Sequence, residues 1–470
     1  MISRRYLFFL ISILYLTIVH LSCIQVWEKV NRVGLAEIKK RGTLKVIMAY
    51  NPNTYYIYRG EIMGFEYELL RNFSNELGLT LEVLPVKDLD NLPYMLNSMD
   101  YDLVASNVTI TRKRSKQLQF SESLFTTKQV LVQRNKDTTG KAGLVTNVLE
   151  LNGKTVNVRE SSSYYSRLRS LQDETGIKVN IQKVEGSLSN DDLIEKVHKG
   201  ELDYTITDEA TALMNQTYYT DLDVSVSVSF PMKVAWVVRK NSPDFLQELN
   251  KWIYKIKSDG TMQKLKKKYY LEPKFIAEDK SEILEKIAKK KNKLSPYDLI
   301  FQREAKKIGW DWRLIAAITY QESKFKSKAR SWAGATGLMQ LMPSTALSLG
   351  LSEDELTNPE KNIQAGVKYL GQLDKFWTKY VSEAERPKFV LASYNAGQGH
   401  VIDARILASY IGKNPNVWYD NTELAILQLS NPKVFNRDYI QHGYCRGQEP
   451  YEYIRAIYGY YEKYKKITDI

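Results

Sequence analysis

"ITYQESKF", Ile318 to Phe325, is the stretch on which the reading of this chain turns. It closes a run in which Leu314, Ile318 and Glu322 stand at i, i+4 and i+8, so a helix puts all three on one face. Glu322 therefore extends an apolar stripe instead of pointing to water. Desolvation disfavours the charged carboxylate, and a helix C-terminus just beyond it disfavours that charge again. A carboxylic acid still protonated near neutral pH is what general-acid chemistry needs, and glycosidic bond cleavage is its standard use. Taken alone, the residue reads as a helix-end glutamate whose head reaches solvent.

The next segment changes that balance. "SWAGATGLMQLMPSTA", Ser331 to Ala346, has glycines at 334 and 337, followed by Met339, Gln340 and Met342. Glycine lets a backbone approach a ligand closely, and the Gln340 amide both donates and accepts, which suits sugar hydroxyls or an acetamido group. Pro343 and Ser344 read as the start of another helix. Further on, "LASYNAGQGHV" (Leu391 to Val401) places Tyr394 and Asn395 on a turn closed by Gly397 and Gly399. No second Asp or Glu lies between Glu322 and Glu353, whereas retaining and inverting glycosidases use a carboxylate pair. A second acid brought in by folding stays open at this point.

With "NPEKNIQAGVKYL" and "EPYEYI" added, these motifs, in this order and spacing, resemble the goose-type-lysozyme-like lytic transglycosylases of bacterial cell-wall metabolism, from about Pro296 to the C-terminus. The resemblance implies that Glu322 is the single catalytic acid, and then the base. It implies that Ser323, Ser331, Gln340 and Met342 belong to the glycan site and that Tyr394 and Asn395 contact the sugar near the scissile bond. Tyr453 matches the tyrosine that hydrogen-bonds the catalytic carboxylate, although Pro450 stands where the family has threonine. The implied reaction cleaves peptidoglycan strands between N-acetylmuramic acid and N-acetylglucosamine and leaves a 1,6-anhydro end. The rivals are a hydrolytic muramidase and a non-catalytic peptidoglycan-binding or solute-sensing lipoprotein.

The first half has another character. "GTLKVIMAY" (Gly42 to Tyr50) reads as a strand. Phe65, Leu69, Phe73 and Leu77 then recur every four residues as a helical stripe. "YDLVASNVTI", "KTVNVRE", "LDYTITDE" and "VSVSVSFPMKVAWVVRK" supply later strands with helical segments between them, the α/β class. "GEIMGFEYELL", "MDYDLVASNVTITRKRSKQLQFSE" and "IKSDGTMQKLKKKYY" resemble family-3 extracellular solute-binding proteins, which bind amino acids and similar solutes in a cleft between two α/β lobes. By that resemblance Thr109 and Arg114 hold a ligand carboxylate, for which arginine's parallel donors are suited. Asp208 holds an ammonium group, Tyr56 is a cleft aromatic, and Ser161 and Ser162 meet the ligand from the second lobe. The expected fold is thus an α/β two-lobed periplasmic-binding-protein-like domain followed by a mainly α lysozyme-like domain.

"MISRRYLFFLISILYLTIVHLSC" has the layout of an export signal, and its apolar stretch is shorter than the about 20 residues of a comfortable span. Cys23 resembles a bacterial lipoprotein's lipidated cysteine; the rival is an uncleaved N-terminal anchor helix. The only other cysteine, Cys445, rules out a disulfide framework if Cys23 is lipidated. The expected divisions are 1–23 export signal, 40–271 solute-binding domain, 272–295 charged linker and 296–470 transglycosylase domain. The expected place is the periplasmic face of a membrane, as an outer-membrane lipoprotein. Of 470 residues 43% are hydrophobic, enough for sizeable cores, and the formal charge is +13. Basic residues are mostly interleaved with acids, as on a solvated face, and no nucleic-acid-reading motif accompanies the run Lys289 to Lys293. The expected partners are glycan strands, amino acids or muropeptides for the first domain, and a membrane through the lipid anchor. No nucleic acid, cofactor or metal is expected.

Overall fold

The computed structural model describes residues 34–86, 92–97, 101–110, 112–116, 118–135, 144–159, 162–184, 188, 190–272 and 293–468. The export signal with Cys23, most of the linker and Ser161 lie outside the described residues. Among the described residues no helix is long and apolar enough to cross a membrane.

The chain divides into two compact units. Among the described residues, one comprises 34–49, 65–127 and 231–265. Its sheet carries, in spatial order, Thr80–Val86, Thr43–Ala49, Leu103–Thr109, Met232–Val238 and Gln119–Phe120. The first three are parallel, with Val46 opposite Val83 and Leu103. Met232–Val238 returns antiparallel against Leu103–Thr109. The stripe expected from sequence forms helix Phe65–Glu76, and Phe65, Leu69 and Phe73 are buried. Phe73 packs on Trp252 with ring centroids 5.0 Å apart, and Trp252 stacks on Trp236.

The other unit comprises residues 50–64, 128–230 and 266–470. It contains a second sheet, in spatial order Asn180–Val184, Thr155–Arg159, Thr205–Asp208, Gln129–Arg134 and Leu222–Asp223. The valines of "VSVSVS" (Val224, Val226, Val228) alternate inward as a strand would. They form only a single bridge, at Ser227, because the segment hydrogen-bonds intermittently along the Gln129–Arg134 edge.

The rest of this unit is helical: α1 (Asp298–Ile308), α2 (Trp312–Ser323), α3 (Pro343–Ser348), α4 (Pro359–Trp377), α5 (Arg386–Ala396), α6 (Gln398–Tyr410), α7 (Glu423–Gln428) and α8 (Gln448–Thr468). Helix α3 starts where expected, with Pro343 in its first turn, and α4 opens likewise on Pro359, with Asn358 Oδ1 accepting from the Lys361 amide. Helices α2 and α5 both pack against α8. The same unit holds a small antiparallel hairpin of Tyr56–Tyr58 and Glu61–Met63.

Candidate active site

Helix α2 carries Glu322 to its C-terminal turn. Asp311 caps the start by accepting from the Arg313 amide at 2.9 Å, and Lys324, in the left-handed region at φ 52°, ends the helix. Leu314 and Ile318 are buried, so the apolar stripe faces the core. The Glu322 side chain is 3% exposed. Its Oε1 accepts from the Tyr453 hydroxyl at 2.6 Å. Burial, with the Glu322 charge second, holds that hydroxyl well above the ordinary phenol range, so it remains a donor.

Glu322 Oε2 has a partner that the motifs did not announce. Both terminal nitrogens of Arg59 donate to it at 3.1 Å, and one of them also approaches the Gln340 carbonyl at 3.5 Å. Arg59 and Gly60 form the two-residue turn of the hairpin, with φ of 50° and 80°. Positive φ at both positions is the geometry in which Asn-Gly is preferred, and a long side chain at the first costs roughly 1–2 kcal/mol. Such an outlier points to a function for the residue that tolerates it.

The hairpin is held along its length. The Tyr58 ring sits on Trp332 with centroids 5.3 Å apart. The Glu61 carboxylate accepts from the Ser344 amide at 3.3 Å and from its hydroxyl. His400 Nε2 lies 3.1 Å from the Ile57 carbonyl. Burial pushes His400 down to about 4, so its ring is neutral and Nε2–H donates. Gly397, at φ 98°, admits the turn: a Cβ there would stand 2.8 Å from the Gly60 nitrogen.

Among the other residues expected around Glu322, Tyr394 is buried and donates to the Met339 carbonyl at 2.6 Å, which fixes the loop before Gln340. Asn395 is buried, and its Oδ1 has no hydrogen-bond partner; it lines a cavity of about 30 Å³ with Tyr58, Glu449 and Pro450. The Tyr394 hydroxyl is thus spent on the loop, and Asn395 keeps an unsatisfied oxygen. Ser323 is buried and its hydroxyl donates to the Thr319 carbonyl. Gln340 spends its amide hydrogens on the Ala329 and Gly337 carbonyls. Ser331 Oγ accepts from the Ala335 amide. Met342 is buried at the start of α3. Ser323 thus serves its own helix, and the Gln340 and Ser331 side chains serve the loop. Asn362, within the quoted "NPEKNIQAG", had no expected role, yet it braces the same loop by accepting from the Met339 amide and donating to the Thr336 and Leu356 carbonyls.

Among the solute-site candidates, Thr109 ends its strand and its carbonyl accepts from Arg114 at 3.2 Å. Asp208 is partly buried, which raises its carboxyl, and it accepts from the Tyr164 hydroxyl at 3.0 Å. Ser162 precedes helix Ser163–Thr175 and donates to the Arg159 carbonyl. Tyr56 is buried against Tyr444, with centroids 6.2 Å apart. Arg59 and Trp332 escaped the sequence reading. "YIYRGEIM" does carry the signal of a two-residue turn between short alternating runs, but nothing in it names the carboxylate the turn meets.

Residues 43–272 match the model for bacterial extracellular solute-binding proteins, family 3, and residues 299–413 match the transglycosylase SLT domain. The chain is 35% identical to a membrane-bound lytic murein transglycosylase F of Desulfosudis oleivorans over 92% of each chain. It is 31% identical to the protein of that name in Pseudomonas fluorescens, over 91% of this chain and 86% of that one. Among solved structures, an ancestral cationic amino acid solute-binding protein is 26% identical and aligns over 50% of this chain and 99% of its own, with a TM-score of 0.43. With this likeness running nearly end to end, the chain belongs to the membrane-bound lytic murein transglycosylase F family.

Proposed function

We propose that the chain cleaves peptidoglycan between N-acetylmuramic acid and N-acetylglucosamine and leaves a 1,6-anhydromuramic acid end. Glu322 protonates the leaving glycosidic oxygen, and the substrate's N-acetyl group stabilises the cation that develops. The Glu322 carboxylate then takes the proton of the muramic 6-hydroxyl, whose oxygen closes onto the anomeric carbon. No water is consumed, and the proton Glu322 gave is returned to it. Because the closure is intramolecular, holding the sugar in a near-attack pose supplies much of the acceleration. The observation that carries this reading is the hydrogen bond of 2.6 Å from Tyr453 to Glu322, which joins two motifs 131 residues apart on a nearly buried acid.

The reaction is gated. Both terminal nitrogens of Arg59 occupy the hydrogen-bonding reach of Glu322 Oε2, where the glycosidic oxygen has to come, so Arg59 must leave before Glu322 acts. The hairpin that carries Arg59 is encoded within the 43–272 stretch matched to solute-binding proteins. In this reading the small ligand of that half is an amino acid or muropeptide, with Thr109 and Arg114 for its carboxylate and Asp208 for its ammonium. The enzyme works in the cell envelope, anchored by lipid on Cys23 at the outer membrane.

Mass analysis of digests of purified peptidoglycan tests the reaction, since anhydro products are one water lighter than hydrolysis products. Glu322→Gln is expected to lower the rate by about 10² to 10⁴. Reducing-end products from the wild type, or full activity in Glu322→Gln, would sink the assignment.

A further inference from the structure

Trp332 is unassigned by any motif, yet the hairpin is seated on it. The glycosidic oxygen that Glu322 must protonate has to come within hydrogen-bond reach of the carboxylate, where the Arg59 nitrogens now lie at 3.1 Å. A glycan strand entering there displaces Arg59 and, with it, the residues on either side of it in the turn. On one side that residue is Tyr58, whose ring centre is 5.9 Å from the Arg59 guanidinium carbon and 5.3 Å from the Trp332 ring. Trp332 is only partly buried even with Tyr58 in place. Its loop is rigid: Ser331 and Ala335 exchange backbone and side-chain hydrogen bonds, and Tyr269 meets the indole edge-on at 5.9 Å. When the hairpin leaves, the indole that Tyr58 met at a 46° tilt is uncovered. The C–H face of a pyranose packs flat on such a ring, as apolar surfaces do in ligand sites lined by aromatic side chains.

We propose that Trp332 is a positioning residue for the reaction, a stacking platform for a sugar ring next to the scissile bond that Tyr58 covers in this arrangement. The proposal rests on the reading of Glu322 as the acid. It places the platform's contribution mainly in ground-state binding.

The full chain carrying Arg59→Ala, which frees the site, is assayed on soluble uncrosslinked glycan strands, with products weighed and KM and kcat measured. Adding Trp332→Ala is expected to raise KM by about threefold to tenfold, the range of an aromatic contact, with kcat within about twofold. Trp332→Phe should restore most of the KM, whereas Trp332→Leu, which keeps apolar bulk without a ring face, should not. An unchanged KM in Trp332→Ala, or equal KM values for Phe and Leu, overturns the platform while anhydro products still form. Absence of anhydro products from Arg59→Ala itself overturns the reaction reading and this proposal together.

Discussion

Glu322 and His400 show how burial sets chemistry one side chain at a time. The helix face that removes Glu322 from water was readable from i, i+4, i+8 spacing. The expectation of a protonated acid took no account of Arg59, which pairs with the carboxylate in this arrangement. His400 was no candidate at all, yet it holds the Ile57 carbonyl from a fully enclosed position. Its folded pKa, about 4, lies below the ordinary value of 6.5. The unfolded chain therefore takes up a proton that the folded chain refuses, so this contribution is whole above about pH 6.5 and drains away as pH falls toward 4. At pH 5 the loss is about 2 kcal/mol relative to neutral pH. Denaturant unfolding of the wild type and of His400→Gln at pH 7.5 and 5 checks this: the wild type should lose that much more than the variant. Equal losses would contradict it.

The hairpin Tyr56–Met63 is stabilised by what it touches more than by itself, since an isolated two-stranded hairpin is marginal in water. Its tip carries one buried ion pair, and removing one partner of such a pair is strongly destabilising, about 3–5 kcal/mol. Arg59→Ala should therefore shift the population toward the open site. A site that is open only part of the time has an apparent KM equal to the intrinsic one divided by the open fraction, so Arg59→Ala should lower the apparent KM at least about tenfold with kcat little changed. Kinetics on soluble glycan strands read this directly, and a variant with unaltered KM would mean the hairpin does not restrain the enzyme. The strands and turn were within reach of sequence reading, because alternation around Arg59-Gly60 is local. The seat was not, because Trp332, Ser344 and Gly397 are distant in sequence and only packing selects them.

Over the full 470 residues, two resemblances of different origin stand in series, and their coupling is a thermodynamic statement. If a ligand of the solute-binding half opens the enzyme by a given factor, opening the enzyme must tighten that ligand by the same factor. Calorimetry with amino acids and muropeptides should thus give tighter binding to Arg59→Ala than to the wild type. No heat and no thermal shift with either protein would remove the sensing role.

The alternation of strand and helix, the face that Glu322 shares with Leu314 and Ile318, and the ordered motifs from Glu322 to Tyr453 were all written in the chain, because periodicity and turn chemistry act over a few residues. Which candidates turn toward a ligand was not. Gln340 adopts φ 48° and closes its amide on its own loop, and Ser323 donates back along its helix. Folding also decided that the acid would be met by Tyr453 on one oxygen and by Arg59, 263 residues earlier, on the other. A side chain's partner depends on which backbones packing brings within about 3 Å, and no local pattern encodes that.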